Sequence, residues 1–334
     1  MTLYRALRGV GTYLSLSVVG GLMTISMCAA ADDFSIAIIR PLQQAQTQAQ
    51  AASEESTLQQ AISETDDEDI AFVVVNGIKS AQEPCSDALY LERKILFDAA
   101  KNGLFVSLAG SDWTLCKTSV GKSASSERLT RLRELFFAED FSFGASKIPL
   151  IRQSATPKFR SYAENIRWEV GSVLFATINL PGNDNHYRAA GGRNNEFEDR
   201  AVANQHWLQQ LVSHARTHKL EALVLFCDQN PLAAPLANGQ RDGFSEIRSQ
   251  IQRLADQFPG RLLMVHAAST TANEAATAGI NWKGKLGTLA VAPGWLKLKI
   301  SPSSPAFFSL IHHEHNEERK ESSRVTNKRT TALK

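Results

Sequence analysis

One stretch constrains the fold of this chain more than any other: Ile70–Cys116, IAFVVVNGIKSAQEPCSDALYLERKILFDAAKNGLFVSLAGSDWTLC. The run Ile70–Val75 is continuously apolar, the pattern of a strand covered on both faces. Asn76-Gly77 ends it at once. Ser86–Lys101 follows, with apolar residues at Leu89, Leu91, Ile95, Leu96 and Ala99 at a mostly helical spacing; Ser86 fits a helix N-cap and Asn102-Gly103 a stop. The next strand, Leu104–Leu108, ends at Gly110-Ser111-Asp112. Strand, helix and strand form one βαβ unit that aims two loops at the same edge of a parallel sheet. Open α/β sheets place their ligand sites at that edge, outside the carboxyl ends of the strands.

The rest of the chain continues the alternation. Phe34–Ile39 reads as the first strand. Gln43–Ser56 reads as a polar loop passing into a helical segment at Thr57–Ser63, and Asp66–Asp69 as a solvated acidic turn. Glu127–Phe137 has apolar residues at 129, 132, 135 and 136, an amphipathic helix whose Arg128, Arg131 and Arg133 form a solvated face rather than a phosphate clamp. Arg167–Glu169 and Val173–Asn179 give a strand pair, and Pro181–Asn185 a turn cluster. Glu196–His218 is a long helix. Ala222–Cys227 is a buried strand, Phe244–Phe258 a helix with Ile247, Ile251, Leu254 and Phe258 on one stripe, and Arg261–His266 a further strand. Thr288–Val291 and Trp295–Ile300 look like a terminal antiparallel pair. Such alternation predicts a layered α/β sandwich in a single domain, residues 32–310, around a mixed sheet. From about Glu314 the chain has almost nothing to bury, the composition of a disordered tail (311–334).

The first 31 residues stand apart. Arg5 and Arg8 precede the apolar, uncharged Val10–Met27, and Ala29-Ala30-Ala31 follows: a basic start, an apolar middle and small residues at the exit, the pattern of a secretory signal peptide cut after Ala31. The alternative is an uncleaved anchor, since the stretch approaches the roughly 20 residues a spanning helix needs. Cleavage leaves no stable membrane span and a periplasmic or secreted protein. It also removes the only excess of charge: the whole chain carries +2, and residues 1–31 hold two Arg and no acid, so the mature chain is formally neutral. No clustered basic patch points to nucleic acid. Of the four cysteines, Cys28, Cys85, Cys116 and Cys227, cleavage removes the first. Cys85 and Cys116 each follow a sheet-edge loop, and in an oxidising compartment they are expected to pair, at roughly 3 to 4 kcal/mol on the chain-entropy account; the alternative is two separate thiols. Cys227 lies in an apolar run and reads as a small buried hydrophobe.

The loops of the opening unit, with Asn165–Trp168, Leu174–Asn185 and Glu127–Phe137, resemble an exported bacterial branch of the calcineurin-like metallophosphoesterases, over roughly Phe34 to Phe308. Members of that family end one strand in Gly-Asp and the next in Gly-Asn-His-Asp/Glu, or in this branch Gly-Asp-Asn-Glu-Trp. The matching positions here read Asn76-Gly77 and Gly110-Ser111-Asp112-Trp113. The resemblance implies a four-layer α-β-β-α sandwich. It also implies where two cations would sit, clamping a phosphate and lowering the pKa of a bridging water.

At those positions most ligands are missing. The first strand ends in Arg40-Pro41, and a guanidinium repels a cation. The bridging acid falls at Gly77, leaving Asn76 to supply at best one amide oxygen. Asp112 is the one carboxylate of the third motif, and Asp228 follows the strand Ala222–Cys227. The last motif keeps His266, while Thr270 stands at the distal His. The expectation is an exported metallophosphoesterase-like pseudoenzyme with a binding or scaffolding role, no cofactor, and a vestigial pocket of Arg40, Asn76, Asp112, Asp228 and His266 that could hold an anionic or phosphate-bearing ligand through Arg40. The alternative is an active metal-dependent phosphoric ester hydrolase using a reduced or rearranged site, with Asp112, Asp228 and His266 holding one Fe, Zn or Mn ion beside an open position. His312-His313-Glu314-His315 is a weaker metal candidate. No Gly-x-Ser-x-Gly elbow and no phosphate-binding glycine loop is present.

Overall fold

Strand β1 (Phe34–Arg40) is buried on both faces from Ile36 onward, and in the computed structural model it sits inside a sheet rather than at its edge. The structure describes residues 32–41, 48–188, 194–234, 242–268 and 279–311. The signal-like segment, Thr270 and the His312–His315 cluster lie outside them. All described residues fall in one unit, Ala31–Lys334.

β1, β2 (Val73–Asn76) and β3 (Leu104–Ser107) run parallel, with α1 (Gln48–Asp66) and α2 (Asp87–Asp98) in the two connections. After β3 come the single-turn α3 (Gly110–Trp113), α4 (Ser125–Phe136), and the strands β4 (Ile151–Arg152), β5 (Ile166–Val170) and β6 (Val173–Thr177). The chain continues through a turn, α5 (Gly182–Asn185), then α6 (Asn195–Thr217), β7 (Ala222–Phe226), α7 (Ser245–Gln257), β8 (Arg261–Ala267), β9 (Ile280–Lys283), β10 (Leu286–Val291), β11 (Gly294–Ile300) and β12 (Phe308–Ile311). Two mixed sheets result, ordered β12-β11-β1-β2-β3 and β4-β5-β6-β7-β8-β10-β9.

Side-chain alternation fixes how the sheets face each other. Phe34 and Phe72 of the first sheet meet Phe175 of the second, and Phe105 stacks on Trp168 with ring centroids 3.7 Å apart. Val173, Phe175, Val224, Phe226, Leu263 and Val265 therefore join the core of the first sheet. The alternate residues Leu174, Ala176, Leu223, Leu225, Leu262 and Met264 form a separate cluster with Trp207, Leu208 and Leu211 of α6 and Ile247 and Ile251 of α7. The opposite side of the first sheet, including Val73, Val75, Leu104 and Val106, is buried as well, in a cluster that takes in Leu58 and Ile62 of α1, Tyr90 and Phe97 of α2, and Leu129 and Leu132 of α4. Strands with both faces covered explain the unbroken apolar runs in the sequence.

Several expectations need correcting. The last strands do not pair with each other. β10 pairs parallel to β8 in the second sheet, whereas β11 pairs antiparallel to β1 in the first. Gly294, at φ +106°, turns the chain from one sheet into the other, a conformation glycine adopts without strain. In α2 the buried face is Leu89, Tyr90, Arg93 and Phe97, while Leu91 and Ile95 are exposed. Polar anchors set that phase: Tyr90 donates its hydroxyl to Asp112 O (2.8 Å) and Arg93 pairs with Glu83 (2.5 Å). Ser86 caps the helix, accepting from Leu89 N at 3.3 Å. α1 begins at Gln48, inside the stretch read as a loop. Asp66 is not merely solvated, because its Oδ1 accepts from the N–H groups of Lys101 and Asn102 at 3.0 and 3.2 Å. On α4, Arg128 and Arg131 pair with Asp87, and Arg133 makes a two-point bond to the buried Glu164.

Candidate functional site

The carboxyl ends of β1, β2, β7 and β8, and the one-turn helix after β3, place Arg40, Asn76, Asp228, His266 and Asp112 at the edge where the βαβ unit aims its loops. All five are buried, from 0% exposure for Asp112 to 7% for Asp228. What matters is where their polar atoms are spent.

Asp112 spends both oxygens on backbone. Oδ1 accepts from Ile78 N at 2.8 Å and Lys79 N at 3.1 Å, and Oδ2 accepts from Ala109 N at 2.8 Å. The residue thus pins the loop after β2 to the turn after β3. Full burial pushes its carboxyl up to about 7, against the pull of those N–H groups and of Lys79. Asp228 reaches across the sheets: its Oδ2 accepts from Gly110 N at 2.8 Å, at the start of α3, and from Gly182 N at 2.7 Å, beyond β6. At Gly110 the absence of a side chain has a steric reason. A Cβ on Gly110 would meet Gly182 N at 3.1 Å and Asp228 Oδ2 at 3.2 Å.

Arg40 donates to Val291 O at the end of β10 (3.0 Å). Burial lowers its pKa, and the charge of Asp228 partly offsets that. Asn76 donates to Cys227 O (2.9 Å), again from one sheet to the other. Its Oδ1 and the hydroxyl of Ser107, its partner in the β2–β3 register, are buried without a hydrogen bond among the described residues. His266 Nδ1 lies 2.9 Å from Ala267 O, a contact that fits an Nδ1–H donor. Gly77 has φ +100° and donates to Ser107 O (2.8 Å). A side chain at position 77 would therefore be held in a backbone region that L-residues rarely occupy. Cys85 and Cys116 are disulfide-bonded, with Cα atoms 5.8 Å apart, and Cys227 is a buried thiol whose pKa is raised by burial.

This donor set fits a binuclear metal centre poorly. Asp112 has both oxygens engaged and Asp228 has one holding two N–H groups. Arg40 adds a fixed positive charge, and the buried oxygens without a hydrogen bond among the described residues, on Asn76 and Ser107, are neutral. Hard or borderline divalent cations are held by carboxylate and imidazole ligands. Among the described residues, the group of three His, Cys, Asp or Glu side chains whose ligand atoms lie within 4.8 Å of one another is Glu169, His214 and His218; Asp112, Asp228 and His266 are not so arranged. The spacing His-x-x-x-His on α6 was a readable signal, because residues four apart share a helix face.

Beyond Asp228 lies a strained turn. Asn183, Asp184, Asn185 and His186 all have positive φ, between 52° and 58°. Asn and Asp tolerate that region better than other residues, and the turn is held from outside. Arg200 donates to Asn185 Oδ1 and O at 2.6 and 2.8 Å, and Asp184 Oδ1 accepts from Gly243 N at 2.7 Å. His186 packs edge-on against Trp113 and pairs with Glu196 at 3.0 Å. Glu196 is held down to about 2, chiefly by Arg200 and His186, despite its burial. No family model matches this chain, and no curated protein is significantly similar to it. Among the described residues no helix is long and apolar enough to cross a membrane.

Proposed function

We propose that this chain is an exported protein built on a metallophosphoesterase-like sandwich whose catalytic edge has been converted into structure, and that it works by binding or scaffolding rather than by phosphoester hydrolysis. Two stacked mixed sheets with helices packed on them support the architectural half of this reading. The internal disulfide supports export, since such bonds persist in oxidising compartments. The observation that carries the functional half is the use of the two surviving acids. Asp112 and Asp228 accept five backbone N–H groups between them. In an active centre those oxygens would face cations and a nucleophilic water.

In this reading Arg40 has a different task from that of the metal ligand it replaces. Its guanidinium is the internal counter-charge of Asp228. That fits closure of the site better than anion capture, because the group is buried and one donor is spent on Val291 O. The test is turnover of p-nitrophenyl phosphate and bis-p-nitrophenyl phosphate by the mature chain with Mn²⁺, Zn²⁺ or Fe²⁺. The expected result is no hydrolysis above that of the Asp228→Asn variant. Metal-dependent hydrolysis by wild type that disappears in Asp228→Asn would overturn the reading.

A further inference from the structure

At the opposite end of the second sheet, Glu169 of β5 meets the last turn of α6. Glu169 pairs with Leu174, near the start of β6, whereas the edge described above lies past the strand's end. His214 Nε2 is 2.6 Å from Glu169 Oε1, and His218 Nδ1 is 3.9 Å from the same oxygen. The two imidazole rings, four residues apart, lie with centroids 3.8 Å apart. All three ligand atoms fall within 4.8 Å of one another. We propose that Glu169, His214 and His218 form a surface binding site for one divalent transition-metal ion of the Zn²⁺ class, with the remaining position open to water or to a ligand from another molecule.

Three features point the same way. The donor set, two imidazoles and one carboxylate, is that of known three-ligand zinc sites, which keep a fourth position open. With metal–ligand bonds of about 2.0–2.1 Å, donor atoms in a tetrahedral site stand about 3.3 Å apart. The two separations from Glu169 Oε1, one shorter and one longer, reach that value by shifts of well under 1 Å, and the remaining pair starts within 4.8 Å. The helix supplies the third feature. His218 is the C-cap of α6, and its N–H closes on His214 O. The carbonyls at a helix end carry roughly half a negative charge, which favours a cation. One group opposes it: Arg167, two residues before Glu169 on the same face of β5, acts electrostatically on His214. That repulsion lowers the affinity of the site. It would tie the β5 edge to the end of α6, and its open position suits a bridging ligand from a partner.

The test is Zn²⁺ titration of the untagged, metal-stripped mature chain by calorimetry, with Co²⁺ absorption as a report of tetrahedral geometry. Four variants are compared with wild type: His214→Ala, His218→Ala, Glu169→Gln, and a triple variant with His312, His313 and His315 changed to Ala. His218 is largely exposed, so its variant keeps the fold. The expected result is one Zn²⁺ bound by wild type and by the triple variant, and at least tenfold weaker binding in the two His variants. Glu169→Gln weakens it several-fold. Absence of binding by wild type up to millimolar Zn²⁺ would overturn the proposal. So would His218→Ala binding as wild type does, or loss of the site in the triple variant alone.

Discussion

Replacing Asp228 separates a structural acid from a ligand. In Asp228→Ala the N–H groups of Gly110 and Gly182 lose their acceptor at 2.8 and 2.7 Å. Leaving a buried donor unsatisfied costs about 1–3 kcal/mol each, so the pair amounts to about 2–6 kcal/mol. The guanidinium of Arg40 also loses the charge that supports it. Asp228→Asn keeps an oxygen that can accept from both glycines; it loses the charge assistance, about 1 kcal/mol per bond, and, as in Ala, the charge facing Arg40. The expected order of stability is wild type, then Asn, then Ala, with Ala lower by about 4 kcal/mol. With a urea m-value near 3 kcal/mol/M for a chain of this size, the Ala midpoint falls by more than about 1 M. Equilibrium unfolding followed by tryptophan fluorescence at pH 7.5, with the disulfide intact, reads this directly. If Asp228 were instead a free acid facing a ligand, its removal would relieve unsatisfied charge and leave stability unchanged or raised. An Ala midpoint at or above that of wild type would refute the structural assignment, and with it the reason for regarding this edge as closed.

Other expected outcomes follow from the same contacts. Changing Cys85 and Cys116 to Ala opens a loop with a sequence separation of 31 and is expected to remove roughly 3–4 kcal/mol; equal unfolding midpoints with and without reductant would contradict it. Asp112 has its carboxyl raised from 3.8 to about 7. The folded state therefore holds a proton that the unfolded state releases, and stability declines as pH rises from about 4 to about 7. Asp112→Asn, which cannot ionise, loses that slope while costing about 1–3 kcal/mol through the donor it turns toward Ala109 N. Parallel pH profiles for the two proteins would show that Asp112 is not the titrating group.

The strand and helix alternation was legible because buried strands must be apolar on both faces, and β1, β2, β6 and β7 are. The cap at Ser86 worked for a local reason, whereas the helix ends earlier than the expected stop at Asn102-Gly103, at Asp98 with Ala99 as its C-cap. What else failed was non-local. Nothing in Thr288–Ile300 says that its two strands enter different sheets, since each alternates acceptably and the crossing is set by Gly294 and by β1 needing a partner. The phase of α2 misled because Tyr90 and Arg93, polar by type, go inward to partners 22 and 10 residues away in sequence, leaving Leu91 and Ile95 outside. At the candidate edge the residue set was readable from strand ends. The direction of each oxygen was not, because Asp112 and Asp228 are claimed by N–H groups whose position depends on the packing of the two sheets. Glu169, His214 and His218 were missed for a related reason. The His pair is visible as a four-residue spacing, but its carboxylate comes from a strand 45 residues earlier.

A last perturbation asks whether the missing ligands alone keep metal from the edge. Arg40→Asp places an acid at the end of β1, and Arg40→Gln removes the charge without adding one. Asp228 then loses the Arg40 charge that acts on it in both, and in the first it faces a second buried carboxylate. Removing the charge that offsets a buried carboxylate is destabilising, so both variants are expected to melt below wild type, Asp lower than Gln. If the edge were a metal centre lacking only one ligand, millimolar Mn²⁺ would rescue Arg40→Asp selectively, since an ion that binds the native state stabilises it by mass action. The geometry predicts no such rescue. Both oxygens of Asp112 and one of Asp228 are held by N–H groups, and Gly77, at φ +100°, offers no side chain between them. A Mn²⁺-dependent rise in melting temperature for Arg40→Asp, absent in Arg40→Gln and unaffected by His218→Ala, would mean that those hydrogen bonds yield to a cation. The edge would then be a dormant centre and not a structural one.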